Sequence, residues 1–185
     1  MEADRQGPWV GAVLTGGSSP RMGRDKATLE VDGVAMAERV AVALTAAGAS
    51  AVVCVGPAVG PYSAIVEDEP GEGPLGGVIA ALRWAAGRVV FVAACDLIAP
   101  EPTAIAAIVA RLGPASVALP VRDGRDQPLT AAYGPGALAG LAAAYAQGER
   151  SVRRALQRVE VVAVDGIDPA ALADADDPSD LPPVL

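Results

Sequence analysis

The stretch "VGAVLTGGSSPRMGRDKATL", Val10 to Leu29, runs from an apolar segment of strand length into a glycine turn and then a basic segment carrying Arg21, Arg24 and Lys26. An apolar run without polar alternation reads as a strand buried on both faces. The same sequence logic recurs along the chain. Met36–Ala47 reads as an alanine-rich helix closed by Gly48, and Ala51–Val55 as the next strand. Ile65 and Val66 lead into an acidic, proline-bearing turn. Leu75–Ala86 then reads as a helix and Val89–Ala94 as a buried strand. Thr103–Leu112 follows as a helix, Ser116–Leu119 and Leu129–Tyr133 as strands, Ala137–Ala146 and Ser151–Arg158 as helices, and Val159–Val164 as a last strand. Continuous apolar strands alternating with helices predict a largely parallel sheet covered on both faces, a three-layer α/β/α sandwich of Rossmann-like kind. Ligands in such sheets sit beyond the carboxyl ends of the strands, so chemistry is expected just after Leu14, Val66 and Ala94.

Composition limits what that chemistry is. The chain has 185 residues, the size of one domain, and we expect a single domain over 1–185. Hydrophobic residues make up 52% and aromatic ones 3%, so the core is aliphatic. A net charge of −8 argues against a surface that attracts nucleic acid generally, so a bound anion must be held by a few local cations. No histidine is present, which removes histidine-based triads and histidine-ligated zinc. Cys54 and Cys95 stand apart without metal-ligand spacing. No secretory leader pattern or membrane-length apolar run is read, and a cytoplasmic location is expected. Of 14 basic residues only Lys26 is lysine. A compact ammonium differs from a guanidinium fork beside phosphate, which singles Lys26 out.

The glycine turn "GGSSPRMGRDK" lacks the Gly-Lys-Ser/Thr of a P-loop, leaving either a backbone cradle for phosphate with basic support or a surface turn with a basic rim. "GEGPLG", Gly71–Gly76, spells a dinucleotide fingerprint, but Glu67, Asp68, Glu69 and Pro70 separate it from the preceding strand, and their carboxylates oppose a pyrophosphate. Pro74 suits the first turn of the following helix. Asp96 ends "VVFVAACD" and either caps the next helix or holds a hard cation such as Mg²⁺. Pro100 and Glu101 favour the cation, because they place the helix start further on. Asp174 and Asp176 in "LADADDPSDL" are a second carboxylate arm or an ordinary acidic tail, with Ser179–Leu181 at most a fragment of helix.

Taken together the chain resembles the MobA-like nucleotidyltransferases. "GAVLTGGSSPRMGRDKATL" is similar to their signature L-A-G-G-x-S-x-R-M-G-x-D-K-A-L, and "EDEPGEGPLGGVIAAL", "VVFVAACDLIAP", "DGRDQPLTAAY", "GERSVRRAL" and "DADDPSDL" follow in the family's order. The resemblance implies a fold of the nucleotide-diphospho-sugar transferase type and transfer of GMP from GTP to molybdopterin carrying molybdenum. It implies that Leu14, Gly16 and Gly17 meet the nucleotide and that Lys26 lies against its triphosphate. It also implies that Asp68 and the Gly73–Gly77 loop, with Gly73, Pro74 and Leu75 among the nucleotide-binding residues, help select guanine, that Asp96 holds Mg²⁺, and that Arg21, Arg125, Asp126, Asp174 and Asp176 face the acceptor. Thr15 replaces the usual alanine, Gly76 the alanine of G-P-L-A-G, Pro20 enters the basic loop, and Asp174 and Asp176 stand where asparagines are usual. The acidic tail keeps two relatives of this chemistry open, cytidylyl transfer to molybdopterin and nucleotidyl transfer to a phosphorylated sugar. A nucleotide-binding partner protein without turnover is the alternative of another class. An accessory GTP-binding protein or a molybdoenzyme chaperone is the kind of partner implied.

Overall fold

A computed structural model describes residues 9–16, 26–175 and 180. Gly17, Arg21, Arg24, Asp176 and most of the Ser179–Leu181 fragment lie outside the described residues.

The described strands are β1 (Val10–Leu14), β2 (Glu30–Val31), β3 (Val34–Ala35), β4 (Val52–Val55), β5 (Ala64–Ile65), β6 (Val90–Ala94), β7 (Val117–Arg122), β8 (Arg125–Asp126), β9 (Thr130–Tyr133) and β10 (Val161–Val164). The helices are α1 (Met36–Ala46), α2 (Pro74–Ala85), α3 (Pro102–Ala110), α4 (Ala137–Ala146) and α5 (Val152–Ala155), with 3-10 turns at Lys26–Thr28, Leu156–Arg158 and Pro169–Leu172. The main sheet runs β10-β7-β9-β6-β1-β4-β5, with β8 hung on β7. β1 is parallel to β4 and β6, β4 to β5, and β10 to β7. β9 runs antiparallel to both neighbours, β6 and β7, and β8 antiparallel to β7, so the sheet is mixed, with its other pairings parallel.

Strand side chains alternate between two aliphatic cores, as the pleat requires. Val10, Ala12 and Leu14 of β1 join Val90 and Val92 of β6 and Tyr133 of β9 beneath α2, α4 and α5. Val13, Cys54, Phe91, Ala93 and Ala132 face the opposite way, into α1 and α3. Gly11 sits under α1, where a β-carbon would already stand 3.0 Å from Leu44 Cδ1. The three-layer sandwich expected from the sequence is therefore the architecture found.

Two short hairpins are new. Asp32 and Gly33 (φ 54° and 77°) join β2 to β3, and Asp123 and Gly124 (φ 51° and 71°) join β7 to β8. Positive φ at both central residues gives the turn whose twist matches antiparallel strands. The helix expected over Ser151–Arg158 begins with Ser151 as its cap, accepting from the Arg154 amide at 3.4 Å, and tightens into a 3-10 turn from Leu156.

Candidate functional site

The parallel strands deliver Thr15, Gly56, Val66 and Cys95 to one edge of the sheet, just past β1, β4, β5 and β6. At the first of these, Thr15 is buried and its hydroxyl donates to the Pro57 carbonyl at 2.7 Å, with the Val55 carbonyl at 3.2 Å. The amides of Thr15 and Gly16 both donate to Val55 O at 3.0 Å. This bonding ties the end of β1 to the end of β4 and gives the departure from alanine at position 15 a structural task. Gly56 (φ 118°) must be glycine: a β-carbon there would stand 2.4 Å from the Gly16 nitrogen. Gly16 itself is exposed, with its backbone presented at the edge. Further on, Lys26 opens a 3-10 turn whose next residue, Ala27, is fully buried in the α1 core, so the backbone at Lys26 is anchored.

Residues 66–73 form the loop between β5 and α2. Gly73 (φ 104°) precedes Pro74 at the start of α2, and a β-carbon on Gly73 would meet Arg150 O at 3.3 Å. Leu75 is fully buried. The loop is braced from α4 and α5. Tyr145 Oη donates to Glu69 Oε2 at 2.8 Å, Arg150 Nη2 pairs with the same oxygen at 3.1 Å, and the Arg150 guanidinium lies 4.0 Å over the Tyr145 ring. Burial raises the pKa of the Tyr145 hydroxyl, and the bond to Glu69 adds to that. Asp68 points outward and is paired with Arg83 of α2. Glu67 instead turns inward, with Oε1 accepting from the Gly71 amide at 3.3 Å. Glu149 binds the amides of Arg150 and Ser151 and the Arg154 guanidinium. Those donors, Arg154 first, hold its carboxyl well below the usual range, at about 2.

Across the same edge, Asp96 follows β6 and is half-buried. It is not the cap of α3, whose preceding residue is Glu101. Residues 173–175 run beside it: Ile98 N donates to Ala173 O at 2.9 Å, Leu97 bridges Asp174, and Ala175 N donates to Asp96 O at 2.9 Å. The second carboxylate arm is thus brought to the first, although the Asp174 carboxylate itself pairs with Arg122 Nη1 at 3.0 Å. Arg122 Nη1 also reaches Leu172 O at 3.0 Å. Arg125 and Asp126 stand on the exposed β8 of that hairpin, where Arg153 donates to the Asp126 carbonyl at 3.0 Å.

Among the described residues, several of the site residues expected from the sequence lie along one edge. Leu14, Gly16 and the Gly73–Leu75 turn lie on one side, and Asp96, Asp174 and the Arg125–Asp126 hairpin on the other. Sequence reasoning missed Glu67, Arg122, Tyr145 and Arg150. Arg122 had a local signal in its place before Asp-Gly, and Glu67 and Arg150 lay inside family-like segments, but the contacts these side chains make are distant in sequence. Cys54 is buried, and burial raises its thiol pKa, which makes it a poor nucleophile.

Asp96 suits a hard divalent cation. It is an oxygen donor at a strand end, and Mg²⁺ commonly takes one or two carboxylates with substrate phosphates filling the rest of its shell. Among the described residues no three acidic, cysteine or histidine side chains gather where they could hold a metal ion. Among the same residues no helix is long and apolar enough to cross a membrane.

Comparison with known proteins agrees with this layout. The chain is 39% identical over 155 residues to a probable molybdenum cofactor guanylyltransferase of Opitutus terrae, covering 78% of this chain and 76% of that one. It is 32% identical over 187 residues to the molybdenum cofactor guanylyltransferase of Rhodobacter capsulatus, covering 93% and 92%. Its fold matches the crystal structure of molybdopterin-guanine dinucleotide biosynthesis protein A from Archaeoglobus fulgidus with a TM-score of 0.76 at 24% identity, over 92% of this chain and 93% of that one. Residues 11–162, nearly the whole sheet and the edge from Leu14 to Asp126 though not the 173–175 segment, match the MobA-like NTP transferase domain, and the chain belongs to that family.

Proposed function

We propose that this chain transfers a guanylyl group from GTP to the terminal phosphate of molybdopterin carrying molybdenum, with Mg²⁺ as the divalent ion. The observation that carries the reading is the convergence of the Leu14–Gly16 edge with Asp96 at neighbouring strand ends, in a chain whose relatives are named for this activity. An oxygen of the acceptor phosphate forms a bond to the α-phosphorus of GTP, the bond from that phosphorus to the β-phosphate bridge breaks, and pyrophosphate leaves. A phosphate nucleophile is already anionic near neutral pH, so no histidine is needed as base. Catalysis is then positioning and charge neutralisation.

In this reading the exposed Gly16 backbone, with Gly17, approaches the phosphates, and Lys26 and Arg21 supply positive charge. Asp96 would hold Mg²⁺, which when bound offsets negative charge on the phosphate oxygens. Arg125, Asp126, Asp174 and Asp176 form the acceptor side. One domain, a cytoplasmic setting, and docking to a chaperone of the receiving molybdoenzyme or to an accessory GTP-binding protein complete the reading.

A thermal-shift panel with GTP, CTP, ATP, UTP and NAD, each with and without Mg²⁺, tests it, because a ligand bound only by the native state raises stability by mass action. A Mg²⁺-dependent shift with GTP is the expected result. A shift with CTP instead moves the activity to cytidylyl transfer, one with NAD assigns Gly71–Gly76 to a dinucleotide, and none at all overturns nucleotide transfer.

A further inference from the structure

The tail passes the end of β7 at Arg122, and one guanidinium holds it there. Side chains alternate along β7: Val117, Leu119 and Val121 enter the core beneath α2, so Arg122 shares the opposite face with Ala118. The strand ends at the Asp123–Gly124 turn, which leaves the half-buried Arg122 side chain beside residues 172–174. Its Nη1 donates to Leu172 O at 3.0 Å and to Asp174 Oδ1 at 3.0 Å. Nε lies 3.7 Å from Asp123 Oδ2, a looser contact with a side chain 86% exposed, against 46% for Asp174.

This pair adjoins the proposed metal ligand. Leu97 bridges Asp174, and the next amide, that of Ala175, donates to Asp96 O at 2.9 Å. Asp96 and Asp174 thus stand on adjoining backbone segments, at an edge proposed to take two phosphorylated substrates, in a chain whose net charge is already −8. Asp174 occupies a position where the family pattern has asparagine, a neutral side chain of nearly the same shape. An unpaired aspartate there adds a negative charge toward an incoming phosphate, whereas one paired with a guanidinium adds none.

We infer that Arg122 is a positioning residue for the acceptor, which by cancelling the charge of Asp174 lets an aspartate serve where asparagine is usual; this rests on the guanylyl reading above. Through Leu172 O the same nitrogen keeps that stretch of tail on β7. A guanidinium suits both duties, because its nitrogens only donate and it keeps its charge at every working pH. Arg122 acts through Asp174 and the backbone, and no contact with substrate is required of it. The charge effect crosses a partly exposed edge, so salt screens it, whereas salt does not restore a tail that has lost its place.

The test is steady-state transfer by the full chain with Mg²⁺, GTP and molybdopterin carrying molybdenum, at low and high salt. The wild type is compared with Arg122→Gln, Asp174→Asn and the double variant, with a melting curve for each. The acceptor KM is expected to follow the net charge of the pair. Arg122→Gln, which leaves the carboxylate alone, raises it about fivefold or more at low salt and less at high salt. Asp174→Asn, which leaves the guanidinium alone, lowers it. The double variant, neutral again, returns toward the wild-type value. A double variant as impaired as a folded Arg122→Gln, or a defect indifferent to salt, overturns the inference and leaves guanylyl transfer standing. If Arg122→Gln does not melt cooperatively, Asp174→Asn decides, and a raised acceptor KM in that variant overturns the inference. A wild type that transfers no GMP to molybdopterin overturns the guanylyl reading and this inference with it.

Discussion

The amide of Ala175 donates to the carbonyl of Asp96 at 2.9 Å, across 79 positions of sequence, so the acidic tail is stitched to the strand end that carries the proposed metal ligand. Ala175 is fully buried against Val31 and Met36, which anchors the stitch in a small apolar cluster under α1. The backbone of the Asp96 turn is held from outside its own loop, and the residue that precedes α3 is Glu101, not Asp96.

Asp96→Ala is therefore expected to abolish transfer, by at least about 100-fold, without unfolding the chain. Turnover and a melting curve on the same sample check it. Loss of the cooperative transition would show that Asp96 supports the fold.

Lys26→Arg keeps the charge and changes its shape from a compact ammonium to a planar fork. Activity is expected to fall at least about tenfold, short of the loss caused by removing a preorganised donor altogether. Near-normal turnover would show that any cation serves at this position.

Gly56→Ala and Gly71→Ala separate conformational strain from steric overlap. Both positions have positive φ, 118° and 86°, but a β-carbon on Gly71 meets nothing within 4 Å, whereas one on Gly56 runs into the Gly16 backbone. Gly71→Ala is expected to cost about 1 kcal/mol and Gly56→Ala about 3 kcal/mol or more, with weaker nucleotide binding. Denaturant unfolding and GTP titration of the two variants read the difference.

Glu149 gives a pH dependence of known sign. Its carboxyl is lowered from 4.5 to about 2 in the folded chain, so its contribution to stability is full above 4.5 and is lost as pH falls toward about 2. Glu149→Gln is expected to flatten the fall of Tm across that acid window and to lower Tm at neutral pH. A wild-type and variant melting series from pH 2 to 7 checks both limbs.

Much of this architecture was legible before any contact was known. β1, α2 and β6 lie within a residue of where apolar runs and Pro74 place them, because a strand buried on both faces must be apolar throughout. The β2–β3 and β7–β8 hairpins went unread although each turns on Asp-Gly, a recognised signal, because two-residue strands carry too little periodicity to stand out. The edge residues Leu14, Gly16, Asp96 and Asp174 followed from strand ends and motif order. Glu67 did not, because in "EDEPGE" four carboxylates look alike.

The sequence by itself determined that a parallel α/β sheet would present a glycine turn, a lone lysine and an aspartate along one edge, since each is local to its own strand end. Only the tertiary structure decided which carboxylate faces inward, which is neutralised by Arg83 or Arg150, and that the tail crosses back to Asp96. Those outcomes depend on groups 15 to 81 positions apart meeting in space, and no local propensity encodes such meetings.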